Sequence, residues 1–167
     1  MEDDMKKITG MKIFILLLLG FLAPGFADTV EAKKLTLSAD SAIVMDVDSG
    51  AILYEKNIDK KQYPASITKI MTSLVAIENS SMSETVTYSK SAVLNLESGA
   101  SNINLVPGEK LSMEESLYAI LLMSANEACN GVAEHIAGSI DNYVNLMNQR
   151  AKELGCTGTH FANTNGL

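Results

Sequence analysis

The sequence predicts a mixed fold of the α/β (α+β) class: a helical region plus the N-terminal hairpin of an antiparallel sheet. Three observations predict it. Two runs of strand formers, Ala42–Val47 and Ala51–Tyr54, flank the turn signal Asp48-Ser49-Gly50. From Ser112 onward, apolar residues recur at helical spacing, punctuated by serine caps and by Gly138 and Gly155. Between these regions a separate helical pattern runs from about Ser66 to Asn79.

The chain has 167 residues, 47% hydrophobic and 20% charged, enough for one domain with a real core. Its net charge of −7 argues against nucleic acid as a partner. Cys129 and Cys156 do not make a disulfide framework, and no disulfide between them is expected. There is no C-x-x-C and no His/Cys cluster at metal-ligand spacing, and His135 and His160 stand alone.

In chain order, residues 1–27 read as a signal peptide. Lys6, Lys7 and Lys12 precede the apolar run from Ile13 to Leu22, and Gly25-Phe26-Ala27 offers small residues for cleavage. Val30-Glu31-Ala32 is a second cut, Met5 and Met11 are alternative starts, and a retained N-terminal anchor is the competing reading. The run is short against the ~20 apolar residues of a membrane span. Residues 28–167 form the folded part. In the hairpin, the continuous run Ile43-Val44-Met45 suggests an inner strand of a covered sheet. A polar loop follows to Tyr63, which Pro64 keeps extended.

The helix at Ser66 carries Ile67, Ile70, Met71, Leu74 and Val75 as one apolar stripe. Thr85–Tyr88 reads as a short strand, Ser89–Leu96 as one or two helical turns, and Ile103–Val106 as a second short strand. Ser98–Asn102 is a small-residue loop expected at the rim of a cleft. Ser112-Met113-Glu114-Glu115 is a capping box opening a helix to Met123, whose run Ala119–Met123 suggests deep burial. A second helix spans about Glu127–Ala137. A third, capped by Ser139, has the stripe Ile140, Tyr143, Val144, Met147, Ala151 and Leu154. The tail from Cys156 is rich in turn residues.

Chemistry is suggested first at Ser66 and Lys69. They sit one helical turn apart, and Lys69 is the only full charge between Ser66 and Ile77. A buried ammonium without a carboxylate neighbour has a lowered pKa and can take a proton from a nearby hydroxyl. Serine needs such a base to become a nucleophile. The competing reading makes Ser66 an N-cap and lets Lys69 snorkel to water. Ser124-Ala125-Asn126 follows an apolar helix at a helix–helix joint. By itself it reads either as polar groups in need of partners or as a helix cap.

Together these motifs carry a resemblance. A helix-borne S-x-x-K followed 58 residues later by S-x-N is the pattern of penicillin-recognising serine acyl-transferases. Pro64-Ala65-Ser66-Ile67-Thr68-Lys69-Ile70-Met71-Thr72 resembles the nucleophile segment of the D-alanyl-D-alanine carboxypeptidases, the low-molecular-mass penicillin-binding proteins. Leu121–Ala128 resembles their second motif, Phe161–Leu167 the turn that ends their helical region, and Ala42–Asp46 with Gly50 their first hairpin.

The resemblance implies a β-lactamase/transpeptidase-like fold. It also implies an exported, extracytoplasmic serine peptidase acting on peptidoglycan stem peptides that end in D-Ala-D-Ala, with β-lactams as acylating mimics. Ser66 would be the acyl-ester nucleophile, Lys69 the proton acceptor, and Ser124 a proton relay hydrogen-bonded to Lys69. Asn126 would bind the substrate amide, and neither metal nor organic cofactor is implied. The family's third motif, Lys-Thr-Gly on an edge strand, does not occur in these residues, and neither do its C-terminal strands. The expectation is therefore a truncated peptidase domain, the N-terminal part of a longer protein, inactive alone and with any C-terminal membrane anchor missing. Two other readings are a β-lactamase, disfavoured by Ala125 where Ser-Asp-Asn is typical, and a wall-binding module that kept the fold without the activity.

Overall fold

The computed structural model describes residues 35–167; the expected signal segment and both expected cleavage sites lie outside them. The chain divides into two compact units, with the boundary in the sequence between Asn57 and Ile58.

The first unit is the expected hairpin. Strand β1 (Ala42–Met45) pairs antiparallel with β2 (Ile52–Lys56), Ala42 opposite Lys56 and Val44 opposite Tyr54, with a bulge between Val44 and Met45. The turn closes because the Asp46 carboxylate accepts from Ser49 N at 2.8 Å and from Ser49 Oγ at 2.5 Å. Those bonds hold the Asp46 carboxyl below the usual carboxylate range. Ile43, Val44 and Met45, expected to be covered, are instead 53%, 50% and 58% exposed. A two-stranded ribbon has two open faces, so these side chains stay about half exposed.

The second unit is helical, with one small sheet. A single 3₁₀ turn (Ala65–Ile67) leads into α1 (Thr68–Asn79). Strand β3 (Thr85–Thr87), α2 (Lys90–Leu94) and β4 (Lys110–Ser112) follow, then α3 (Met113–Met123), α4 (Asn126–Ala137) and α5 (Ile140–Glu153). The capping box forms as read: Ser112 Oγ accepts from Glu115 N at 3.1 Å, and the Glu115 carboxylate accepts from Ser112 N at 2.7 Å. Ser139 caps α5 through Asn142 N. Gly138 ends α4 with φ +74°.

The expected strand at Ile103–Val106 does not form. Its backbone donors go to carboxylates instead, Ile103 N to Glu127 at 2.6 Å and Val106 N to Glu109 at 2.9 Å, and Asn104 turns to φ +60°. The strand that pairs with β3 is β4, with Val86 opposite Leu111.

The main core gathers Val86, Tyr88, Met113, Ile120, Cys129 and Val132, with further residues from α1, α2 and α3. The Tyr88 ring lies so close to α4 that a Cβ at Gly131 would meet it at 2.3 Å, which is why that helix position holds glycine. Its hydroxyl donates to Ser116 Oγ at 2.7 Å, and burial pushes its pKa up to about 12. Tyr143 ties α5 to α1 by donating to the Thr72 carbonyl at 2.6 Å.

Two burial expectations are corrected. On α1 the buried side is Thr68, Lys69, Thr72, Ser73, Val75 and Ala76, while Ile67 and Ile70 are 65% and 63% exposed. Small residues let α3, α4 and α5 approach α1 closely, so they share the inner face with Val75, and only Ile67 and Ile70 of the stripe turn fully outward. On α3, Leu121, Leu122 and Met123 are exposed rather than deeply buried, and the core face is Met113, Leu117 and Ile120.

Candidate active site

Ser66 sits in the 3₁₀ turn, directly before α1 rather than inside it. Ala65, the residue ahead of it, is held at φ +51°, a left-handed conformation that an alanine adopts only against strain. Ser66 makes no side-chain capping bond, so it is not an N-cap, and it is exposed.

Lys69 is the second residue of α1 and is 3% exposed, so it does not snorkel to water. Its ammonium makes three hydrogen bonds. It donates to Ser66 Oγ at 3.3 Å, to Asn126 Oδ1 at 2.9 Å and to the Asn165 carbonyl at 2.9 Å. Among the described residues no carboxylate pairs with it. Burial therefore lowers its pKa from the ordinary lysine value, with a thiolate at Cys129 the only opposing influence. Burial pushes that thiol up to about 12, so at neutral pH it carries no charge.

Ser124 ends α3 in the left-handed conformation, φ +53°, and this turn aims its side chain at Ser66. Ser124 Oγ donates to Ser66 Oγ at 2.9 Å. The expected bond from Ser124 to Lys69 is not made; Ser124 meets Ser66 instead. Nor does Ser124 or Asn126 N-cap a helix: the N-cap position of α4 is Ala125, with no side-chain cap bond, and Ser124 is the C-cap of α3.

Asn126 begins α4 and is 2% exposed. Its Oδ1 accepts from Lys69, and both its backbone N and its Nδ2 donate to the Ser101 carbonyl at 2.9 Å. The amide expected to receive substrate is therefore committed at both ends within the chain. One Nδ2 proton and one Oδ1 lone pair are left over.

The third acceptor of Lys69 was not legible as a site residue. The Asn165 carbonyl is placed by the turn Asn163–Leu167, where Asn163 Oδ1 accepts from Gly166 N at 2.6 Å. Thr164 anchors this turn: its carbonyl accepts from Thr72 Oγ1 at 2.6 Å, and its hydroxyl donates to Asn130 Oδ1 at 3.1 Å. Gly166 has φ +88°, and a Cβ there would lie 2.0 Å from the Ala65 carbonyl oxygen. The sequence marks this segment through the glycine and the resemblance of Phe161–Leu167 to the family's turn, but a backbone carbonyl has no residue type to read as a partner of Lys69.

The arrangement combines a hydroxyl with an amine of lowered pKa on one side and a second hydroxyl on the other. This is the chemistry of an activated serine nucleophile.

The family model for D-alanyl-D-alanine carboxypeptidase matches residues 28–167. The chain is 38% identical over 170 residues to the D-alanyl-D-alanine carboxypeptidase DacF of Bacillus subtilis (strain 168), covering 98% of this chain and 43% of that protein. It is 37% identical over 155 residues to DacC of Escherichia coli (strain K12), covering 85% of this chain and 39% of that one. Among solved structures it is similar to penicillin binding protein 5 from Haemophilus influenzae, with a TM-score of 0.74 and 32% identity over 81% of this chain and 41% of that one. A second is the carboxypeptidase DacD from Francisella tularensis, with a TM-score of 0.73 and 34% identity over 87% of this chain and 37% of that one. The chain thus spans roughly two fifths of the length of the curated relatives it matches.

Proposed function

The chain belongs to the D-alanyl-D-alanine carboxypeptidase family, and on that premise we propose that it serves a serine-type D-Ala-D-Ala carboxypeptidase acting on peptidoglycan stem peptides outside the cytoplasmic membrane. The observation that carries the reading is the position of Ser66 Oγ, 2.9 Å from Ser124 Oγ and 3.3 Å from Lys69 Nζ.

Neutral Lys69 accepts the Ser66 proton as Oγ bonds to the carbonyl carbon between the two D-alanines. The tetrahedral adduct collapses by breaking the C–N bond, and Ser124, in contact with Ser66, passes a proton to the leaving amine while the proton that Lys69 took replaces it on Ser124, which returns Lys69 to its neutral form. Water then attacks the acyl ester, with Lys69 again as base, and frees Ser66. Asn126 has two tasks in this reading: its Oδ1 steadies Lys69, and its uncommitted amide proton and lone pair meet the stem-peptide amide. β-Lactams acylate Ser66 by the same first step.

The test is release of D-alanine from diacetyl-L-lysyl-D-alanyl-D-alanine by the full-length protein. Release that disappears in Ser66→Ala is expected. Release by Ser66→Ala at the parent rate would overturn the reading, as would no release by the parent.

A further inference from the structure

Two buried side-chain oxygens in the described chain have no hydrogen-bond partner, Ser73 Oγ and Glu127 Oε2. Glu127 is the stronger anomaly, a carboxylate 1% exposed and next in sequence to Asn126. Burying a half-satisfied carboxylate is costly. Its place in the first turn of α4 offsets part of that cost, because the helix N-terminus favours negative charge.

The single bond Glu127 makes shows what it does. Its Oε1 accepts from Ile103 N at 2.6 Å, two residues along from Ser101. Ser101 is the residue whose carbonyl takes both donors of Asn126. Consecutive residues at the start of α4 therefore grip one loop at two points. The loop needs that grip: it has no regular structure from Asn95 to Glu109, apart from two turns. Beneath it lies a pocket of about 290 Å³, lined by Val93, Leu96, Asn102, Asn104, Leu105 and Glu127. Ile103 and Leu105 pack against the core but stay partly buried, so the two bonds from α4 add to a limited apolar anchor.

We propose that Glu127 is a positioning residue for the proposed reaction: by holding Ile103 it fixes the Ser101 carbonyl, which orients the Asn126 amide so that Oδ1 faces Lys69. This extends the proposed function and rests on it for the catalytic consequence, but the positioning itself is measurable without activity.

The experiment compares the parent with Glu127→Ala and Glu127→Gln, each checked for an unchanged helical circular-dichroism spectrum and melting transition. Amide exchange by NMR reads the Ile103 N–H and the Asn126 side-chain Nδ2 protons. Fluorescent-penicillin labelling of the full-length protein reads the acylation rate. In Glu127→Ala the exchange of both sites is expected to quicken roughly 10- to 100-fold, the loss of one buried charge-assisted bond. The α5 amides should not change, and acylation should slow at least about tenfold. Glu127→Gln keeps an oxygen facing Ile103 and should restore most of both effects. Slow exchange at Asn126 in Glu127→Ala would overturn the proposal, as would fast exchange with an unchanged acylation rate. If Glu127→Ala unfolds, Glu127→Gln decides: an exchange pattern and rate equal to the parent support the positioning, and fast Asn126 exchange despite the retained oxygen contradicts it. Absence of labelling in the parent would sink the proposed function instead, and the exchange result would still stand or fall alone.

Discussion

Ser124 Oγ donates to Ser66 Oγ across 2.9 Å, a shorter contact than the 3.3 Å from Lys69 Nζ to the same oxygen. Ser124 therefore orients the Ser66 hydroxyl directly, which in the proposed reaction is the nucleophile. Ser124→Ala removes that contact and the proton path to the leaving amine. Acylation by penicillin is expected to fall roughly 10²- to 10⁴-fold, the usual range for a positioned acid–base group. Stopped-flow labelling of the two proteins measures it.

Lys69 has a pH signature. Its folded pKa is lowered by burial, so between that value and the ordinary 10.5 the unfolded chain holds a proton that the folded chain has shed. Stability owed to Lys69 therefore rises with pH across that window and is constant above it. The difference in unfolding free energy between the parent and Lys69→Met, followed by urea titration at several pH values, should increase in that direction. Acylation should rise as the pH passes through the folded pKa, where the free amine appears, and level off above it. Lys69→Arg should lose nearly all acylation at every pH, because a guanidinium does not give up its proton in proteins.

Gly166 links the tail to the nucleophile turn. A methyl group there would collide with the Ala65 carbonyl at 2.0 Å, at a residue whose φ of +88° already disfavours alanine. Gly166→Ala is expected to cost about 2 kcal/mol or more in urea unfolding. It should also slow acylation, because the Asn165 carbonyl that holds Lys69 belongs to the same turn.

Ser112→Ala tests the capping box away from the site. The loss of the N-cap bond to Glu115 N should cost about 1 kcal/mol and leave acylation unchanged. The carboxyl of Glu115, held low by the Ser112 N–H and hydroxyl, should titrate closer to its ordinary value in the variant.

What the sequence disclosed and what it hid follow one physical division. Features written in local residue types were legible: the hairpin turn at Asp46–Gly50, the caps at Ser112 and Ser139, the break at Gly138, and the one-turn spacing of Ser66 and Lys69. Features set by what packs against what were not. Periodicity found the stripe of Ile67 and Ile70 on α1 but not that the smaller Thr72, Ser73 and Ala76 would take the inner face. The strand formers of Ile103–Val106 lost their backbone donors to the Glu127 and Glu109 carboxylates, which propensity does not see. The Ser66–Lys69 pair was visible, while its bond from Ser124 and the Asn165 carbonyl came only from the fold.

The central claim is that Ser66 is the acylated residue. Full-length protein incubated with benzylpenicillin, digested with trypsin and analysed by tandem mass spectrometry locates the adduct most directly. The account predicts the penicilloyl mass on Ser66, and no adduct after Lys69→Ala. An adduct on Ser124, or one on Ser66 that forms as fast without Lys69, would contradict it.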